Sequence, residues 1–287
     1  MRHSFALGAA VAAALGAAVA ALGVAGAAHA ASVEIRDAVA RVTVIPEDRG
    51  DVKVEFLTTN ADLPLSVHVT GGDTIIDGGL DRRISGCHQR HESSVARVRG
   101  VGQVRYENVP QVVVRTPKAV IVRANGVVFG TIGRSASLDM NNSGCSSWTV
   151  ADVAGAVVIE DSGAGSVKMG TSGRLDLRLS GAGEIHATRI RQGLEASLSG
   201  VGSVSVDDLA GPVGARVSGV GKIRVADGHA DAVRASVSGL GSIELGGVAQ
   251  SLDASISGLG NIRVRQVTGS VSKSVTGGGH VTIGGRP

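Results

Sequence analysis

The sequence predicts an all-β chain built as a right-handed parallel β-helix of about nineteen residues per coil, with a less regular β part at its N-terminal side. Three observations carry that expectation. A Ser-Gly-x-Gly tetrad returns about every nineteen residues through the C-terminal half. Short runs of period-two apolar alternation flank each copy, and helical periodicity is absent. Glycine is abundant, at 43 residues, while aromatics make up only 2% of the 287 residues, which suits a narrow stacked coil with room for Val, Ile, Leu and Ala.

Residues 1–30 read as a signal peptide. Arg2 and His3 form a short basic start, an Ala/Gly/Val/Leu stretch runs from Phe5 to about Gly26, and Ala28-His29-Ala30 fits a small-x-small cleavage site. No Cys follows the apolar run and Arg2 stands alone, which argues against a lipoprotein and a twin-arginine signal. The mature chain is therefore expected to be soluble, periplasmic or secreted, and not membrane-spanning.

Residues 31–118 read as irregular β structure. Val33 and Ile35, Arg41 to Ile45, Val52 to Phe56, Leu65 to Val69 and Gln111 to Val114 alternate or run apolar between turns such as Pro46-Glu47-Asp48-Arg49-Gly50. The charged stretch at 81–100 has no apolar periodicity and reads as a long surface loop. Cys87, His88 and His91 look like a ligand cluster, but there is no second cluster and Arg90 and Glu92 intervene, so no metal or cofactor is expected. In an exported chain the two cysteines, Cys87 and Cys145, are expected to form a disulfide that tethers the loop to the first regular coil.

Residues 119–287 read as the regular β-helix. Apolar residues stand five, three and one positions before each tetrad Ser (Leu194, Ala196, Leu198) and five and seven after it (Val204, Val206), so each coil holds two short strands with polar residues facing outward. A third apolar position at Val153, Ile190, Leu209, Val248 and Val267 turns the corner to the next coil. Eight units from Ser143 to Thr276 give a rod of roughly 40 Å at about 4.8 Å per coil. The tetrad glycines Gly163, Gly165, Gly181, Gly183, Gly200, Gly202, Gly219, Gly221, Gly239, Gly241, Gly258 and Gly260 read as tight bends. Positive φ and close coil stacking would both exclude a Cβ there, and the Ser hydroxyls are expected to form a ladder over the bend backbone. A phosphate-loop reading fails because no helix N-terminus and no Lys-Ser/Thr ending follow. Lys273 replaces the Ala of the middle inward position and reads as a cap against stacking by another rod.

The formal charge of +3 drops to +2 once Arg2 is removed, too little to imply a nucleic-acid partner. The scarcity of aromatics withdraws support from outer-membrane barrels and from stacking platforms for sugars or bases. His186, His229 and His280 do not recur in step with any Ser, and outward charges mix signs from coil to coil, so no catalytic residue is assigned. The leading reading is a noncatalytic envelope protein that binds an unidentified envelope or extracellular component. Arg178, Arg216, Lys222, Arg224, Glu244 and Arg263 form its candidate surface. A structural or self-associating scaffold is the alternative, and a polysaccharide-active enzyme a weaker one.

The opening Val33-Glu34-Ile35, the Val-x-Val-x-Pro-Glu-Asp character of Val42 to Asp48, the strand Val112-Val113-Val114-Arg115-Thr116-Pro117, Asn125-Gly126-Val127 and the serial tetrads resemble the auto-transporter adhesin head, or GIN, domain family over nearly all of the mature chain. The resemblance implies a right-handed β-helical domain exported to the bacterial envelope, with no established enzymatic activity. The chain closes on Ile283-Gly284-Gly285-Arg286-Pro287 without a translocator barrel, so self-transport to the surface is not expected.

Overall fold

The computed structural model describes residues 31–87 and 95–284. The expected signal peptide, and His88, Arg90, His91 and Glu92, lie outside the described residues. The described chain is a parallel β-solenoid of about nine turns with about 19 residues per turn, 69% strand and without α-helix.

Each coil contributes two strands to two parallel ladders. In the first, Leu175–Leu179 pairs with Leu194–Leu198, which pairs with Val213–Val217, and the ladder continues to Val271–Val275. In the second, Ala182–Ile190, Val201–Ala210 and Val220–Ala230 stack in the same way, ending at His280–Ile283. The apolar residues of both strands point into the coil and merge into one buried cluster from Val33 to Val264. Alternation with period two is therefore converted directly into an interior and a solvated face.

The tetrad bends differ from expectation in how glycine is required. Among the tetrad glycines only Gly277 takes a positive φ, of 125°. At Gly163, Gly181, Gly200, Gly219, Gly239 and Gly258 an added Cβ would instead run into the carbonyl oxygen of the equivalent glycine one coil back. The second tetrad glycines are similarly crowded: Gly202 faces the Gly183 carbonyl, and Gly241 faces both Val217 and Gly221. The requirement is thus for close coil approach. Nor is a hydroxyl ladder the main support of the bend. The backbone bonds coil to coil, with Ser180, Ser199, Ser218, Ser238 and Ser257 donating their N–H groups to carbonyls of the preceding coil.

The corner position also needs one correction. Val153, Ile190 and Leu209 are buried and Val267 is partly buried against the core, but Val248 is half-buried and Ala249 takes the inward place, because the register shifts between Leu245 and Val248.

Regular stacking reaches back to β1 (Ser32–Glu47). The excursion from β1 carries β2 (Lys53–Thr58), β3 (Ser66–Thr70), β4 (Asp73–Asp77), β5 (Ile84–Cys87), β6 (Ala96–Val98), β7 (Gly102–Val104) and β8 (Gln111–Pro117), and returns to β9 (Ala119–Ile132). β1 pairs in parallel with β9 on one edge and with β4 and β8 on the other. Antiparallel β3 and β2 then cover β4 and β8.

The charged segment 81–100 is more structured than a loop. It holds a short 3-10 turn, Asp81–Arg83, and both β5 and β6, which form a three-stranded antiparallel sheet with β7. Val95, Ala96, Val98 and Val104 bury themselves in a second cluster with Val39, Leu63, Leu80, Val109 and Val127. Strands of three or four residues are too short to leave a readable alternation. Cys87 and Cys145 are disulfide-bonded, with Cα atoms 6.3 Å apart, and this bond ties the small sheet to the solenoid.

Candidate functional site

The expected surface residues separate onto two faces. Lys222, Arg224, Glu244 and Arg263 project from the second-strand ladder, whereas Arg178 and Arg216 project from the first. On the second-strand face Glu244 is shared by Lys222 Nζ at 2.7 Å and Arg224 Nη1 at 2.9 Å. Burial pushes the Glu244 carboxyl up, but the two cations outweigh it and hold its pKa below the ordinary value. Arg263, beside them, has no ion pair among the described residues. On the other face Arg178 pairs with Glu160 at 2.8 Å and Arg216 with Glu195 at 3.7 Å. These are coil-to-coil contacts between exposed side chains, each worth about 0–1 kcal/mol, and they leave most of the charge already partnered.

Between the two faces, along the tetrad edge, runs a feature the charge reading passed over. The third tetrad position is Ala164 and Ala182 in the earlier coils and then Val201, Val220, Leu240 and Leu259. These four are exposed by 61%, 50%, 62% and 64%. Each donates its N–H to a carbonyl one coil back, so they stand as rungs of one row, roughly 14 Å long at the coil spacing. The signal was present in the sequence as the change from Ala to Val to Leu at one repeat position. The position lies between the two tetrad glycines and has no apolar neighbour at period two, so no strand pattern marks it.

A nucleophile, a base and an acid do meet on the second-strand face. Ser205 Oγ lies 3.0 Å from His186 Nδ1, and His186 Nε2 lies 3.3 Å from Asp207 Oδ2. Register places Ser205 directly beside His186, a contact the sequence analysis did not foresee. The strand bearing Ser205 is paired in parallel on both sides, so its backbone N–H groups are committed to the ladders and offer no oxyanion site. Among the described residues no group of three or more His, Cys, Asp or Glu side chains is placed to hold a metal ion. No helix there is long and apolar enough to cross a membrane.

Several polar side chains are buried among the described residues, and two of them, Asn142 and Asp161, form a hydrogen-bonded rung of the interior. Asn142 and Asp161 occupy successive positions of the inward row that continues as Leu179 and Leu198, and both are 1% exposed. Asn142 Nδ2 donates to Asp161 Oδ1 at 3.1 Å and the Gly163 N–H donates to the same oxygen at 3.0 Å.

A rod with an apolar row and charge ladders on evenly spaced rungs falls in the class of solenoid repeat proteins, whose extended surfaces suit binding. Residues 188–287 match the model of the family described as "Putative auto-transporter adhesin, head GIN domain". That is the family the sequence resembles, and the match spans the last five tetrads rather than nearly all of the mature chain. No curated protein matches the chain. Among solved structures the chain is similar to a putative adhesin from Bacteroides fragilis NCTC 9343, at 16% identity and TM-score 0.44 over 89% of this chain and 93% of that one. It is also similar to a putative lipid binding protein from Parabacteroides distasonis ATCC 8503, at 20% identity and TM-score 0.46 over 88% and 92%. A putative cell adhesion protein from Clostridium sporogenes ATCC 15579 aligns at 9% identity and TM-score 0.22 over 86% and 93%.

Proposed function

We propose that the mature protein, freed of residues 1–30, is a periplasmic or secreted binding protein without catalysis of its own, which adheres to another envelope or extracellular component. The observation that carries this reading is the row Val201, Val220, Leu240 and Leu259, four large apolar side chains held in solvent on consecutive coils. Contiguous exposed apolar surface marks interaction sites, and the family match over the same coils supports adhesion as the kind of interaction. Arg216, Lys222, Arg224, Glu244 and Arg263 stand on the strands either side of the row, and Arg178 one coil before it, as a polar rim. The disulfide agrees with an oxidising compartment.

The experiment is adhesion of purified protein to immobilised envelope fractions. The double substitution Leu240→Ser, Leu259→Ser is expected to lower retention at least about tenfold, while neutralising the flanking charges changes it less. Unchanged retention in the double variant removes the row from the reading. Turnover of an envelope glycan that is lost on replacing one acidic residue overturns the noncatalytic assignment.

Self-association is a second reading, favoured by the last coil, where Val271–Val275 is exposed throughout. In that reading Lys273 serves as the cap that limits it.

A further inference from the structure

With five aromatic side chains in 287 residues, composition argues against a sugar platform, yet the fold brings three of them to one place. Phe129 stands on the outward face of β9, and Tyr106 reaches it from the short 3-10 turn Tyr106–Asn108. Their rings meet edge to face with centroids 5.2 Å apart. Arg41, the register neighbour of Phe129 on β1, lays its guanidinium 4.8 Å from the Tyr106 centroid. Beneath them the Trp148 indole fills the coil interior, in the volume that a side chain at Gly130 would need.

This aromatic corner walls a groove of about 400 Å³ on the second-strand face, next to the disulfide-tethered sheet. Its floor is a set of hydroxyls from adjacent coils, Thr131, Ser147, Thr149 and Ser166, and Lys168 stands at its far end. Ser147 and Ser166 are 2.9 Å apart, so the hydroxyls already form part of a hydrogen-bonded ladder. No carboxylate lines the groove, and Lys168 has no ion pair among the described residues.

We propose that this groove binds an acidic saccharide. A pyranose presents an apolar C–H face and a rim of hydroxyls. Phe129 and Tyr106 supply the surface for the first. The Ser and Thr ladder, each member able both to donate and to accept, supplies partners for the second. Lys168 supplies a cation for a uronate carboxylate, with no competing acid in the lining. The volume lies within the range of small-molecule sites, about 300–1,000 Å³. A nucleic acid is disfavoured because one lysine cannot neutralise a run of phosphates. An extended peptide is disfavoured because the strands forming the floor are paired on both sides, so they offer no free edge. The groove lies on coils before the apolar row and shares no residue with it, so the two sites can fail separately.

The test is titration calorimetry of the mature protein with three acidic tetrasaccharides (galacturonate, mannuronate and hyaluronan) and with neutral maltotetraose. At least one acidic tetrasaccharide is expected to bind with Kd below about 1 mM. Lys168→Glu should weaken it at least about tenfold, and Phe129→Ser by a similar factor. Thr149 is exposed, so Thr149→Arg should fill the groove without disturbing the fold, and it is expected to abolish binding with an unchanged circular dichroism spectrum. Silence from all three acidic sugars, equal binding of maltotetraose, or binding undiminished in both Lys168→Glu and Thr149→Arg overturns the proposal.

Discussion

The two ends of the solenoid terminate the same stacking in opposite ways. At the N-terminal end β1 does not present a bare edge, because β4 and β8 cover it and are themselves covered by antiparallel β3 and β2. An antiparallel strand breaks the parallel repeat, and charged side chains on it (Lys53, Glu55) discourage further pairing. At the other end Val271–Val275 and His280–Ile283 lie on the preceding coil with no strand beyond them among the described residues. Identical coils propagate, so ending them takes sequence that is not a coil. The N-terminal end spends some seventy residues on this, whereas the last described coil has only a change of side chains.

The largest expected effect tests whether the repeat is as intolerant as its stacking implies. Gly200 takes no positive φ, and its missing Cβ would overlap the Gly181 carbonyl. Gly200→Ala is therefore expected to cost about 3 kcal/mol or more by forcing two coils apart. Gly50, in the N-terminal excursion, has nothing within 4 Å of an added Cβ, and Gly50→Ala is expected to stay within about 0.5 kcal/mol of the parent. Urea unfolding of both variants checks the contrast. Equal losses would mean that the two regions do not differ in this respect.

A smaller effect concerns the tie between the regions. The Cys87–Cys145 bond closes a separation of 58 residues and holds the β5–β7 sheet against the solenoid. Replacing both cysteines with Ser is expected to cost about 2–4 kcal/mol. The loss should be local: amide exchange should accelerate in 84–87 and 95–104 and remain unchanged in the coils from Leu175 to Val264. Uniform acceleration would instead make the small sheet an integral part of the solenoid's stability.

What could be read in the sequence divides along the same line. In the coils one residue position repeats eight times, so the inward Leu, Val and Ala were identifiable without a structure. The N-terminal excursion offers each position once, and β5 to β7 are too short for alternation to register. The pairing of β4 and β8 onto β1 joins residues far apart in the chain and left no local trace. The aromatic groove was hidden for the same reason, since Tyr106 and Phe129 belong to different elements and composition counted them only as scarce. The apolar row is legible only as a change from Ala to Val to Leu at one repeat position, because its place between two glycines lies outside the period-two strands.

Where irregular and regular sequence meet, the polar rung at Asn142 and Asp161 predicts a pH dependence. Burial pushes the Asp161 carboxyl above its ordinary value of 3.8, and the Gly163 N–H and Asn142 only partly oppose it. The native state then keeps its proton to higher pH than the unfolded chain does. Stability should fall as pH rises from about 3.8 through the native pKa and be level above it. Asp161→Leu alone orphans Asn142 Nδ2 and the Gly163 N–H. Replacing both with Leu, as in the later coils, is expected to recover about 1–2 kcal/mol relative to that single variant and to remove this fall. Denaturation between pH 3 and 8 checks both points, and an unaltered pH profile in the double variant would place the dependence elsewhere.

The smallest expected effect returns to the less protected end. Lys273 pairs in register with Ala254, so it holds the inward position of a coil that has no successor among the described residues, between Val271 and Val275. Any second strand laid on this edge would have to bury its ammonium without a partner. Lys273→Ala removes that obstacle and leaves a short apolar strand, whose contact area is too small for a tight dimer. Association is therefore expected to strengthen only about tenfold, seen as a concentration-dependent rise in sedimentation coefficient. Lys53→Ala serves as the control, because it removes a charge from the end where antiparallel β2 already blocks propagation, and it should leave sedimentation unchanged. If Lys273→Ala sediments like the parent at high concentration, the side chain does not limit stacking, and the difference between the ends lies in backbone geometry alone.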